Sequence, residues 1–260
     1  MKDIRTETGI IRFEADGPSG LQQMDLTPYE FAERPDEQLL HVYFEDEELG
    51  LGVGVWETTP MREPFGPYPG DEFIYVLKGN FTMLDNDAND LSSGVDCKAG
   101  QSVIFRNGVP VSWKQHDTLR KFYMTYTDPR AEIPSGLLAE GGIQTLDPDM
   151  ELTDADLVKG TEVTQRERVF FTNDHGNFEV GLWDTQGFLE NDEKAFPCHE
   201  FGQVLDGECT ITEADGTEHH FKAGDFFFIP AGTICRWHVP TYLRKFYATL
   251  NPNIRPGGTA

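Results

Sequence analysis

The stretch PYPGDEFIYVLKGNFTM at residues 67–83 has a counterpart in AFPCHEFGQVLDGECTI at residues 195–211. In the first of these, Glu72, Ile74 and Val76 fall on one face of a strand and Phe73, Tyr75 and Leu77 on the other. Both faces are largely apolar, which suits a strand with one side in a barrel interior and the other against a second sheet. Gly79 and Gly207 end these strands at tight turns. Working outward, VGVWET at 53–58 answers VGLWDT at 180–185, and KAGQSVIFRNGVPVSW at 98–113 answers KAGDFFFIPAGTICRW at 222–237. LRKFY then recurs unchanged at 119–123 and 243–247. Four matches in the same order, 124 to 128 residues apart, make the chain a tandem duplication.

Each copy reads as short runs of Val, Phe, Tyr and Ile separated by Gly, Pro, Asp and Asn turns, with little room for helices. The expected class is all-β, one sandwich or small barrel per copy. The 260 residues divide into a first barrel with an N-terminal arm over 1–130, a linker over 131–165 and a second barrel over 166–260. Within the linker, ELTDADLVKG suggests a short helix or turn, and HVYFEDE at 41–47 is a candidate strand for exchange with a partner subunit in a homodimer. A formal net charge of −24 argues against nucleic acid or an anionic membrane surface as the main partner, since binding there requires neutralising phosphates. No stretch approaches 18 apolar residues, and the opening MKDIRTETGIIRFEADG lacks a signal-like apolar run. Cys97, Cys198, Cys209 and Cys235 have no metal-finger spacing, so free thiols in a cytoplasmic protein are the simplest expectation.

The pattern resembles the cupin superfamily, and among it the bicupins of the cupin_3 (DUF861) type. The elements that carry the resemblance are Trp56, Glu72 to Gly79, Gly100, Gly108, Trp113 and Arg120–Tyr123 in the first copy. In the second they are Trp183, Glu200 to Gly207, Gly224, Pro230, Gly232, Trp237 and Arg244–Tyr247. The resemblance implies two tandem double-stranded β-helix (jelly-roll) barrels. It also implies a divalent ion, manganese, iron, nickel or zinc, held in catalytic members by two histidines and a glutamate with a third histidine further on. Here Glu200 stands at the glutamate position, Lys194 and Phe196 near the two histidine positions, and Cys235 where the third histidine is expected. A set of Cys198, His199, Glu200 and Cys235 is the candidate metal site, and the alternative is that the cysteines are small buried thiols. The first copy keeps Glu72 but has Gly70, Asp71 and Val111 at the other positions, so the second copy is where a site is sought.

Trp183, Trp237, Phe201 and Tyr247 are expected to wall a small-molecule pocket, with Gln203, Arg236 and Lys245 supplying polar contacts and Glu200 acting as acid, base or ligand. One member of Arg244–Lys245, and of Arg120–Lys121, is expected to lie buried against Glu200 or Glu72, because a charge inside a barrel needs a partner. Three functions follow as alternatives: an enzyme on a small polar metabolite, by analogy with manganese hydrolases of ureidoglycine; a metal-free ligand binder or sensor; and a structural or assembly protein.

Overall fold

A computed structural model of the chain describes residues 9–85, 94–127 and 142–254. It is built of strands and contains no α-helix among the described residues. Two compact units form, one from Glu14–Asp147 and one from the residues up to Phe13 together with those from Pro148 onward.

In the unit Glu14–Asp147, a seven-stranded sheet runs in the order Ile143–Thr145, Ser102–Phe105, Asp71–Lys78, Leu119–Tyr126, Leu51–Thr58, Gln38–Asp46 and Gln22–Gln23. A second sheet joins Met61–Arg62, Pro110–Gln115, Asn80–Leu84 and Val95–Lys98. Every pairing is antiparallel. The expected alternation holds: Ile74 and Val76 enter the interior cluster with Met61, Tyr68, Phe81, Phe105 and Trp113. The segment proposed for exchange between subunits, 41–47, pairs with Leu51–Thr58 of its own unit, while Gln22–Gln23 pairs with Leu40 and Leu39 just before it.

The other unit carries its sheet in the order Ile11–Arg12, Phe226–Ile229, His199–Glu213, Ile234–Leu250, Phe178–Leu189 and Gln165–Thr172. Lys194–Ala195 and Glu218–Lys222 attach to the long strands. Strands broken in the first unit are continuous here: Asp71–Lys78 and Asn80–Leu84 correspond to the single strand His199–Glu213. Its bend is at Gly207, whose φ of 76° and close approach to the Tyr242 carbonyl, 2.0 Å from where a Cβ would stand, admit only glycine.

The boundaries differ from the division expected of the sequence. Part of the N-terminal arm, Ile11–Arg12, pairs with Phe228 and Phe227, and Phe13 packs edge-to-face on Phe201 at 5.0 Å. The described part of the linker is also shared out, because Ile143–Thr145 completes the first sheet while Leu152 and Pro148 offer their carbonyls to Arg166 and Arg244 of the second unit. The helix or turn expected in ELTDADLVKG is a 3-10 turn at Asp154–Asp156, capped by Thr153 and held by the Arg168–Asp156 ion pair at 2.7 Å. Residues 131–141 of the expected linker lie outside the described residues.

The two interiors conserve volume by paired exchanges. Phe81 faces Cys97 across neighbouring strands in the first, and Cys209 faces Phe221 at the same place in the second. Ile74 and Val103 become Gly202 and Phe227, and a Cβ on Gly202 would stand 2.1 Å from the Phe227 ring. Close packing permits such swaps only in compensating pairs.

Candidate functional site in the C-terminal barrel

Lys245 and Glu200 come from adjacent strands, Ile234–Leu250 and His199–Glu213, and point into the barrel, where they form a buried ion pair. Their residues are 5% and 7% exposed. The ammonium lies 5.3 Å from the ring centre of Trp183, 5.1 Å from Trp237, 5.8 Å from Phe227 and 6.0 Å from Tyr247. Facing rings offset part of the cost of burying the cation, and Glu200 neutralises it. The first barrel repeats the arrangement: Lys121 meets Glu72 at 2.9 Å, with Trp56, Trp113 and Tyr123 at 5.3, 4.9 and 6.0 Å. The expectation that one basic residue of each RK pair is buried against the motif glutamate is met by the lysine in both copies.

A further acid belongs to the repeated set. The Glu190 N–H donates to the Trp237 carbonyl at 2.9 Å, and the Glu63 N–H donates to the Trp113 carbonyl at the same distance, so the two glutamates are equivalent. Burial, with Glu72 alongside, raises the Glu63 carboxyl to about 6 in spite of Lys121.

What separates the barrels is the state of this centre. In the first, the Tyr68 hydroxyl donates to Glu72, and its ring stacks on Phe105 at 4.8 Å. Burial and the Glu72 charge keep that phenol protonated, its titration displaced far upward. In the second, Phe196 replaces Tyr68 and Ile229 replaces Phe105. The backbone is the same, since the Phe196 N–H donates to Thr233 as that of Tyr68 does to Val109. With neither hydroxyl nor ring to hold it, the Phe196 side chain lies toward Trp237, centroids 6.4 Å apart. A cavity of about 540 Å³ results, lined by Phe188, Phe196, Trp183, Trp237, Tyr247, Cys235 and the Glu200–Lys245 pair.

Three more carboxylates line that cavity: Glu167, Glu179 and Glu190. Glu190 Oε2 accepts from the Trp237 N–H at 2.9 Å. Tyr247 donates to Glu179 at 3.3 Å, and burial, with the charges of Glu167 and Glu179 beside it, holds this phenol protonated far above its ordinary range. Glu167 sits opposite Trp183 in register, where the first barrel has Leu40 opposite Trp56. Glu179 precedes VGLWDT as Gly52 precedes VGVWET. Sequence reasoning did not find Glu167, Glu179 or Glu190, although the last is marked by its counterpart Glu63.

Of the residues expected to form the site, Glu200, Trp183, Trp237, Lys245, Tyr247 and Cys235 meet around the cavity. Phe201, Gln203 and Arg236 do not line it. Each alternates with cavity-side neighbours along its strand, and Arg236 opens onto an outer depression with Glu218, His220 and His238. His199 likewise faces away from Glu200, accepting the Ala231 N–H at 3.2 Å and stacking on Phe228. Cys198 and Cys235 are thiols that burial raises to about 12. Among the described residues no three His, Cys, Asp or Glu side chains are grouped to hold a metal ion. The donors expected for a divalent ion do not fit one, because His199 points elsewhere and a lysine ammonium occupies the Glu200 carboxylate.

A family model described as EutQ-like cupin domain matches residues 50–123 and 172–247. No curated protein matches the chain. Among solved structures, a protein of unknown function of the DUF861 family from Pseudomonas syringae pv. tomato has a TM-score of 0.70 at 20% identity, covering 94% of this chain and 100% of its own. A cupin 2 conserved barrel domain protein from Leptotrichia buccalis gives 0.55 at 13%, covering 87% and 100%. The DUF861 protein Ylba from E. coli gives 0.54 at 12%, covering 98% and 97%. At these identities the likeness shows the fold.

Proposed function

The chain belongs to the EutQ-like cupin family, and we propose that its C-terminal barrel binds a small organic molecule without the help of a metal ion. The carrying observation is the contrast between two copies of one polar centre. Glu72–Lys121 is capped internally by the Tyr68 hydroxyl, whereas Glu200–Lys245 forms part of the wall of a cavity of about 540 Å³. That volume is typical of metabolite sites, as is the lining of aromatic walls with a few converging polar groups. In this reading Lys245 takes the place that a cation would hold against the family glutamate. Glu200 and Lys245 then offer a ligand one acceptor and one donor, while Trp183, Trp237 and Phe196 supply contact area. The N-terminal barrel, its polar centre capped by Tyr68, serves as the supporting copy.

The test restores the first barrel's closure in the second. A metabolite library is screened by thermal shift against the wild type and the Phe196→Tyr/Ile229→Phe variant. Compounds that raise the melting temperature of the wild type and leave the variant unmoved support the reading. Compounds that stabilise both proteins equally, or a library that stabilises neither, refute it.

A further inference from the structure

We infer that the ligand of the C-terminal cavity carries a protonated amine, held against Glu167 and Glu179. This rests on the cavity being a ligand site and adds the chemistry of its occupant. The first ground is the balance of charge along the wall. Lys245 is already paired with Glu200, so the net charge a ligand meets is that of half-buried Glu179 and Glu190 and of Glu167 at the exposed rim, against the exposed Lys194. Glu190 has a backbone N–H for one oxygen. Glu179 has the hydroxyls of Tyr247 and Thr172, each at 3.3 Å, and a hydroxyl donates a hydrogen bond without cancelling a charge. No ion pair joins Glu167 or Glu179 to a lysine or arginine among the described residues.

The second ground is where these carboxylates occur. The two barrels share the lysine, its glutamate, the rings and the Glu63/Glu190 position. Glu167 and Glu179 are found in the copy whose polar centre lines the cavity, while Leu40 and Gly52 hold their places in the copy whose centre is capped by Tyr68. The two acids therefore accompany the cavity rather than the fold. An anionic ligand could reach Lys245 only beside the Glu200 carboxylate and would lie among three further carboxylates. An ammonium would find two acceptors beside Tyr247 and an apolar wall of Phe188, Phe196 and Trp237 for the rest of the molecule.

Three probes of one shape and different charge decide it: phenethylamine, 2-phenylethanol and phenylacetate, titrated calorimetrically at pH 7. The wild type is expected to bind the amine at least about tenfold tighter than the alcohol, and phenylacetate most weakly. In the Glu167→Gln/Glu179→Gln variant the preference for the amine should shrink to within about threefold, with the alcohol's affinity unchanged as the sign of an intact cavity. The inference is overturned if phenylacetate binds best, or if the preference for the amine survives in that variant. Binding of the alcohol or phenylacetate, lost in Phe196→Tyr/Ile229→Phe, with no preference for the amine would sink the inference and leave the cavity reading standing. Failure of all three probes at millimolar concentration would sink both.

Discussion

Tyr68→Phe removes a single oxygen from the first barrel, and the structure sets what that oxygen contributes. Tyr68 is 7% exposed, its hydroxyl donates to the buried Glu72 carboxylate, and its ring stacks on Phe105 at 4.8 Å. Phenylalanine keeps the ring and the stack, so packing changes little. Glu72 also keeps Lys121 at 2.9 Å, so the carboxylate is not stranded. What is lost is one buried hydrogen bond to a charged acceptor, about 1.5–3 kcal/mol. Hydrogen exchange read by mass spectrometry across a urea series resolves peptides of Glu14–Asp147 from those of the other unit. The loss should be confined to the former, at roughly 1.5–3 kcal/mol. A change below about 0.5 kcal/mol, or an equal change in both sets of peptides, would refute the claim that this hydroxyl caps the first barrel's polar centre.

Glu200→Gln strands the Lys245 ammonium among rings, and water in the cavity softens the loss, so roughly 2–4 kcal/mol of destabilisation in urea is expected, with most of it recovered in Glu200→Gln/Lys245→Met. A double variant less stable than the single one would contradict the pairing. Glu63, raised from 4.5 to about 6, binds its proton more tightly in the folded protein than in the unfolded chain. Its contribution to stability is therefore complete below about pH 4.5 and is lost as pH rises through 6, a fall of about 1–2 kcal/mol by pH 7 that Glu63→Gln should remove from the difference between urea melts at pH 4.5 and 7. Cys97, Cys198, Cys209 and Cys235 are all pushed up to about 12, so native alkylation by iodoacetamide at pH 8 should run at least about 100-fold slower than in urea. A thiol alkylated at the denatured rate would show its burial to be wrong.

The fold was legible because duplication repeats every strand signal with its turn, and the two copies check one another. The ion pair was legible as well, since a lysine in an apolar strand of a barrel has few partners besides the motif glutamate. Which strand face turned inward was not, because Phe, Val and Trp occupy both faces of most strands. Gln203 and Arg236 were expected at the site for that reason, and alternation carries them to the opposite side from Val204 and Trp237. His199 failed as a ligand for the same cause: it is adjacent to Glu200 in sequence and opposite to it in space. Glu167 and Glu179 depended on strand register across Gln165–Thr172 and Phe178–Leu189, which one sequence does not specify. The duplication itself marks them, as acids where the first barrel has Leu40 and Gly52.

Of two equivalent polar centres, Glu200–Lys245 lines a cavity and Glu72–Lys121 is capped by Tyr68. A crystal of the full chain soaked in 2-phenylethanol tests this difference most directly, by where difference density arises. The account predicts density against Glu200–Lys245, between Phe196 and Trp237, and none against Glu72–Lys121. Density beside Glu72 with the C-terminal cavity empty would contradict it.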